Sequence, residues 1–354
     1  MIPISIITGY LGSGKTTLLA KALRHPAFAR TAVIINEFGD VGLDHDLVET
    51  SDESLVTLQT GCICCRMRDD LSELLEDLLQ RRRQLTVPAF DRVVIETSGL
   101  ADPVPILQAL MVDPATVASY RLADVITVVD AVNAATTLAH EREAGRQVSV
   151  ADRLILTKSD LLTAPPDDLR ETLRTLNPTA PVIDVQHGHV APSVVFREPD
   201  RSELDRTTDL QELFENSDGL HSHAPHKAIA TFAIVRDTPI PAVALTLFLE
   251  ALADHCGSDL LRLKGLIAIA EHPSRPAVVH GVQHVFHPPH WLSHWPSDDT
   301  RTRLIFIGRH LSPKWIEALL NAIELEVADY QGGVSAESDL RAPDESSTEQ
   351  TGAN

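Results

Sequence analysis

Short apolar runs rich in β-branched residues recur along the first half of the chain, each followed by turn residues and most by an amphipathic stretch. PISII (3–7), TAVII (31–35), SLVTL (54–58), RVVIE (92–96), DVITVVD (124–130) and RLILT (153–157) read as buried strands. KTTLLAKALRH (15–25) and DDLSELLEDLLQRRRQ (69–84) read as helices, the second with leucines at helical spacing and a polar opposite face. Apolar strands separated by helices predict an α/β fold, a mainly parallel sheet covered by helices on both faces.

The alternation stops at 186–227, where the sequence turns polar, charged and histidine-containing, as in a linker. Beyond it, AIATFAIV (228–235), GLIAIA (265–270), AVVHGV (277–282) and RLIFIG (303–308) read as strands. PAVALTLFLEALADHC (241–256) and SPKWIEALLNAIE (312–324) read as helices, which makes a smaller C-terminal α+β domain. From about Gly332 the chain is polar and poor in large apolar residues. The expected organisation is therefore an α/β domain at 1–185, a linker at 186–227, a second domain at 228–326 and a disordered tail at 327–354. There is no internal repeat.

The 354 residues, 44% hydrophobic and 23% charged, are ordinary for a soluble globular protein. A net charge of −20 argues against nucleic acid or an anionic membrane as the main partner. The acidity is compatible with handling cations, although solubility is the simpler reading. The N-terminal MIPISIITGY has no basic region and its apolar run is too short for a signal peptide or a membrane span, so a cytoplasmic protein is expected.

Between the first strand and the first helix lies GYLGSGKT, from Gly9 to Thr16, which matches GxxxxGK[ST] in the context that motif requires. Gly9, Gly12, Ser13 and Gly14 would turn backbone N–H groups around phosphates, with Thr17 in the first helical turn beside them. Lys15 would neutralise the β- and γ-phosphates, and Thr16 would offer its hydroxyl to Mg²⁺. RVVIETSG (92–99) ends in Glu96, a candidate Mg²⁺ holder, and in Gly99, positioned to contact the γ-phosphate through its backbone. A buried strand-end carboxylate needs a cation or a donor, which fits that role. TKSD (157–160) resembles the NKxD guanine-reading element, with Asp160 accepting from guanine and the Lys158 stem packing on the base. Thr157 stands where that element usually has asparagine, and a helix N-cap Ser-Asp pair is the alternative reading. NEFGDVGLD (36–44) carries Glu37, Asp40 and Asp44 among glycines and reads as a switch segment or, alternatively, as a solvated acidic loop.

Three of the four cysteines, Cys62, Cys64 and Cys65, fall in GCICC (61–65). Thiolates suit Zn²⁺, Co²⁺ or Cu(I), and Arg66 and Arg68 nearby would favour the ionised thiols. The same cluster also reads as a redox pair or as buried apolar thiols. His221, His223 and His226 are candidate further ligands or members of a solvated loop. His280, His284, His287, His290 and His294 read as structural, and Cys256 as a core thiol.

GYLGSGKT, NEFGDVGLD, GCICC, ETSGLADP and TKSD together resemble the CobW-like family of GTPases, a branch of the P-loop NTPase fold that includes zinc-regulated metallochaperones. KGLIAIAEHPSRPAVVHGVQHVFHPP (264–289) resembles the family's C-terminal domain, so the likeness runs from residue 2 to about residue 325. The resemblance implies GTP, Mg²⁺ and zinc, with cobalt as an alternative cargo. It makes Lys15, Glu37 and Glu96 the catalytic candidates, and Glu37 also a candidate metal ligand. It further implies a client metalloprotein docking on the switch face and the C-terminal domain, and a monomer or weak homo-oligomer. A cobalt carrier for cobalamin synthesis, a nitrile-hydratase-type activator, a small-molecule kinase and a metal-free GTPase switch stand as alternatives.

Overall fold

The computed structural model describes residues 1–36, 56–60, 67–185, 221–222, 229–286 and 289–339. Its first sheet comprises β1 (Ile2–Thr8), β2 (Thr31–Asn36), β3 (Val56–Thr60), β4 (Arg92–Glu96), β5 (Tyr120–Asp130), β6 (Arg153–Thr157) and β7 (Val182–Asp184). Every pairing is parallel, in the order β3-β2-β4-β1-β5-β6-β7. A parallel sheet must be covered on both faces, which is why its strands are apolar at successive positions rather than at alternate ones. On one face α1 (Lys15–Leu23) lays Leu18, Leu19 and Ala22 against Ile7, Val33, Val94 and Ile126. On the other, α2 (Met67–Arg83) and α3 (Val104–Val112) bury Leu71, Leu75, Leu78 and Leu107 against Ile4, Ile6, Val93 and Ile95. Further along come α4 (Pro114–Ser119), α5 (Ala134–His140), α6 (Arg142–Val150) and α7 (Asp167–Leu176).

The apolar pattern located six strands of this sheet but missed β7, and two further differences have a clear cause. β5 begins at Tyr120, four residues before the run at 124, because its first residues pair with Ile2 to Ile4 of β1 and Tyr120 donates its hydroxyl to Leu75 O at 2.9 Å. α3 escapes a search for amphipathic stripes because VPILQALMV is apolar almost all round, the signature of a helix buried on most sides.

The second sheet contains β8 (His221–Ser222), β9 (Ala230–Arg236), β10 (Leu260–Ile267), β11 (Ala277–Val282), β12 (Val285–Phe286), β13 (His290–Trp291) and β14 (Thr302–Gly308). Its pairings are antiparallel, ordered β12-β11-β10-β14-β9-β8 with β13 beside β11. α8 (Ala242–Cys256) and α9 (Pro313–Asp339) cover one face, burying Phe248, Leu252, Ile316 and Leu320 against Phe232, Leu263 and Phe306. Phe232 and Phe306 are register partners whose rings stack with centroids 5.1 Å apart. Three elements differ in extent from the sequence reading. β10 begins at Leu260, five residues before the run at 265. α9 continues past 324 to Asp339, and Val327 follows the stripe of Leu320 and Ile323 into the same core. His221 and Ser222, within the segment read as a linker, pair with Phe232 and Thr231 at the sheet edge. The remaining tail and linker residues, with His223, His226 and His287, lie outside the described residues.

The two sheets meet. Val282 of β11 is buried in the core formed by α2, α3 and the first sheet, and Gln108 of α3 donates to Gln283 at 2.8 Å.

Candidate nucleotide site

The carboxyl ends of β1, β4, β5 and β6 converge on residues 9–14, the position where open parallel sheets bind ligands. Gly9 has φ 140°, and a Cβ there would stand 2.2 Å from Val128 O. Only glycine lets the loop leave β1 so close to β5. Gly14 caps α1 in a left-handed conformation, and the first turn of that helix carries no acid, so no side-chain charge opposes an anion at the positive end of its dipole. Lys15 is buried and donates to Gly9 O at 2.8 Å and Tyr10 O at 3.3 Å, which seats its ammonium inside the loop. Thr17 is exposed on the first turn of α1.

Thr16 Oγ1 donates to Glu96 Oε1 at 2.6 Å, joining the helix N-terminus to the end of β4. Glu96 is 2% exposed. A hydroxyl and a carboxylate in contact at the phosphate loop are hard oxygen donors of the kind Mg²⁺ takes, so these residues fit that ion. After Glu96 the chain folds back on the loop: Thr97 N donates to Ile7 O at 2.9 Å, and Thr97 Oγ1 to Thr8 Oγ1 at 2.9 Å. Gly99 then passes so close to Leu11 that a Cβ would meet its N at 2.7 Å.

On the other side, Thr157 donates to Ser13 O at 2.7 Å and thereby ties β6 to the loop. Lys158, with φ 59°, bridges Gly12 O at 2.7 Å and Asp130 Oδ2 at 2.8 Å. Asp130 also accepts from Asn133 Nδ2 at 2.8 Å and Val132 N at 2.9 Å. Burial works against its ionisation, but the hydrogen bonds from Lys158, Asn133 and Val132 outweigh it and hold the carboxyl below its ordinary range. Asp160 follows, exposed, in a short 3-10 turn. A cavity of about 200 Å³ opens beside the loop, lined by Tyr10, Ser13, Asp130, Asn133, Gln147 and Lys158 among others.

Gly9, Gly12, Ser13, Gly14, Lys15, Thr16, Thr17, Glu96, Gly99, Lys158 and Asp160 thus lie at or just beyond the carboxyl ends of β1, β4 and β6. Glu37, Cys62, Cys64 and Cys65 lie outside the described residues, as does most of the 36–44 segment. Their neighbours do not: Asn36 and Thr60 are register partners at the ends of β2 and β3, and Ile35 pairs with Glu96. Among the described residues no group of three His, Cys, Asp or Glu side chains is arranged to hold a metal ion. His284 approaches Gln108 at 3.5 Å and His294 contacts Ser293 at 2.8 Å, while His290 pairs with Val278 in the sheet. Cys256 packs in the second core. Sequence reasoning passed over Asp130 and Gln147. Asp130 was findable, since it ends a buried apolar strand as Glu96 does. Among the described residues no helix is long and apolar enough to cross a membrane.

A glycine loop closed over a buried lysine, with a threonine–glutamate pair on one side and an anchored lysine turn on the other, defines a P-loop nucleotide-binding protein. The chain belongs to the CobW/HypB/UreG family: residues 3–184 match its nucleotide-binding domain, and residues 229–324 match the cobalamin synthesis protein cobW C-terminal domain. It is 33% identical over 318 residues to the zinc chaperone YjiA of Escherichia coli, covering 90% of this chain and 97% of that protein. It is 31% identical over 350 residues to the zinc chaperone CobW of Pseudomonas aeruginosa, covering 88% of each. The crystal structure of Zn(II)-bound YjiA GTPase from E. coli superposes with a TM-score of 0.68 at 28% identity, covering 91% of this chain and 98% of that one.

Proposed function

We propose that this protein hydrolyses GTP to GDP and phosphate and uses the cycle to carry zinc to a client metalloprotein. The observation that carries the reading is the pairing of strand ends, Asn36 opposite Thr60 and Ile35 opposite Glu96. Glu37 and the GCICC run are the next residues of the chain after these two neighbouring strands, and β2 lies beside β4, whose last residue is Glu96. The zinc chaperone and GTPase names of the relatives support the same reading.

In this reading the loop amides from Gly9 to Thr17 and the Lys15 ammonium hold the β- and γ-phosphates. Asp160 accepts from guanine while the Lys158 stem flanks the base. Thr16 and Glu96 hold Mg²⁺, which when bound neutralises charge on the phosphates. Glu37 orients the attacking water, whose oxygen bonds to the γ-phosphorus as the bond to the bridging oxygen breaks. Gly99 N–H meets the γ-phosphate, so the segment after β4 responds to its loss. Zinc, the cargo, is taken by Cys62, Cys64 and Cys65 as thiolates. GTP raises zinc affinity and zinc raises GTP affinity by the same factor, about 5- to 150-fold for a coupling of ~1–3 kcal/mol. The client docks on the switch face and the C-terminal domain. No arginine finger is evident in the sequence, so intrinsic turnover is slow and the client quickens it.

The test is a competitive Zn²⁺ and Co²⁺ titration of the full chain with GTP·Mg²⁺, GDP·Mg²⁺ and no nucleotide, repeated on Cys64→Ala/Cys65→Ala. Zinc bound most tightly with GTP, and lost in the double variant, is the expected result. Equal affinity in all three nucleotide states overturns the gated carrier.

A further inference from the structure

The carboxyl half of α6 is held by two grips, one from its own domain and one from the second domain. At its nucleotide-facing side Gln147, 1% exposed, donates Nε2 to Gly99 O at 3.1 Å and to Ala101 O at 3.0 Å. Two carbonyl partners require the amide nitrogen there, so the orientation of the side chain is fixed by its bonds. The adjacent Arg146 donates to Asp102 Oδ2 at 2.6 Å. Consecutive residues of α6 therefore hold the segment that follows Glu96 and that packs on Leu11 of the phosphate loop.

At the carboxyl end of α6, Arg262 of β10 donates to Val150 O at 2.5 Å and pairs with Asp152. Lys264 Nζ also reaches Asp152 Oδ1 at 3.0 Å, while Asp152 Oδ2 accepts from Val125 N at 2.9 Å. Arg262 and Lys264 are buried, so this joint is an ion cluster largely shielded from solvent, resting on the helix end whose dipole favours a cation. Asn177 Nδ2 braces the same turn through Val148 O, Ser149 O and Ala151 O. Gln147 and Val150 are three residues apart, about 4.5 Å along the axis of α6.

We propose that Gln147 and Arg262 are positioning residues for the nucleotide response, with the last turn of α6 as the strut between them. A shift of the 99–101 carbonyls moves Gln147 and with it the helix. A charge-assisted joint to Asp152 tolerates only small displacement before its bonds are lost, and helix shifts at interfaces are typically about 1–2 Å. The seating of the second sheet on α6 and the closure of the 99–101 segment over the phosphate site are then one equilibrium. By linkage, whatever binds the second domain and reseats β10 changes the preference for nucleoside triphosphate over diphosphate. The inference rests on the GTP reading above.

Titration of the full chain with GTPγS·Mg²⁺ and GDP·Mg²⁺ gives a ratio of dissociation constants for the native protein, Gln147→Met, Arg262→Met and the double variant. The expected result is a native preference for one nucleotide that each single variant reduces by about 2- to 30-fold. The double variant should lose no more than the larger single loss, because both act on one strut. Hydrogen exchange over 260–267 should differ between the two nucleotides in the native protein and not in Gln147→Met. A purely structural role would lower both affinities together and leave their ratio alone. A folded Arg262→Met with the native ratio, additive losses, or a native protein that binds both nucleotides equally overturns the strut. If Arg262→Met does not fold, Lys264→Met takes its place, since it weakens the same joint at Asp152 and leaves the Val150 bond. A native chain that binds neither nucleotide overturns the GTP reading itself.

Discussion

Replacing Asp130 by asparagine removes the charge that anchors Lys158 and leaves a side chain of nearly the same shape. Asp130 is 10% exposed and Lys158 36%, so the pair lies between two regimes. Fully exposed pairs contribute about 0.2–1 kcal/mol, and breaking a buried pair costs about 3–5 kcal/mol. Lys158 keeps its bond to Gly12 O, and the new amide can still accept from Asn133 or Val132. A hydrogen bond to a charged group contributes about 1.5–3 kcal/mol, and solvent at the partly exposed Lys158 reduces that, so the expected loss is about 1–2 kcal/mol. Urea denaturation measures it, and the thermal midpoint should fall about 2–4 °C per kcal/mol.

The same change leaves the lysine proposed to flank the base with one anchor instead of two, so dissociation constants for GTP and GDP should rise together by about tenfold, or ~1.4 kcal/mol. The sign with pH follows from the depressed carboxyl. Its contribution is complete above the unfolded value of 3.8 and is lost as pH falls through the lower folded value. The stability gap between native protein and variant should be flat from about pH 5 to 8 and narrow in stronger acid. A gap that widens in acid, or a GTP affinity that falls while that for GDP does not, refutes the assignment.

Gly99→Ala must push the segment off Leu11, because the Cβ would stand 2.7 Å from Leu11 N, and such overpacking costs about 1–3 kcal/mol. Triphosphate affinity and turnover should drop while diphosphate binding changes little; turnover within twofold of native would sink the proposed γ-phosphate contact. Phe248→Ala empties a fully buried site between α8 and the second sheet and should cost about 3–5 kcal/mol in urea unfolding of the second domain. A loss below about 1 kcal/mol, as for an exposed residue, would contradict that packing. Burial, then the nearby Asp259, pushes the Cys256 thiol upward, so it should react with a thiol reagent far more slowly in the native protein than in urea. Equal rates in the two conditions would show that the thiol is not protected.

The residues that were legible early share a simple property: their chemistry is contiguous. Gly9 to Thr16 carry their own loop, lysine and hydroxyl, and the apolar runs that end in Glu96 and precede TKSD announced the strands that deliver them. Thr157 shows where contiguity misleads. As a letter it departs from the guanine-reading element, yet its hydroxyl ties β6 to Ser13 O, a contact made across 144 positions of sequence. α9 misled in the opposite way, because a polar tail composition concealed Val327 on the buried stripe.

By itself the amino-acid order determined the α/β class of the first half, the separate second unit, the phosphate loop and the family likeness, because periodicity and motif spacing are local properties. Only the tertiary structure decided that Asp130 anchors Lys158, that Gln147 grips Gly99 and Ala101, and that Arg262 reaches across 112 positions to Val150. Such partners are selected by register and packing, and a buried charge or amide reveals its role only when the fold supplies the group that satisfies it.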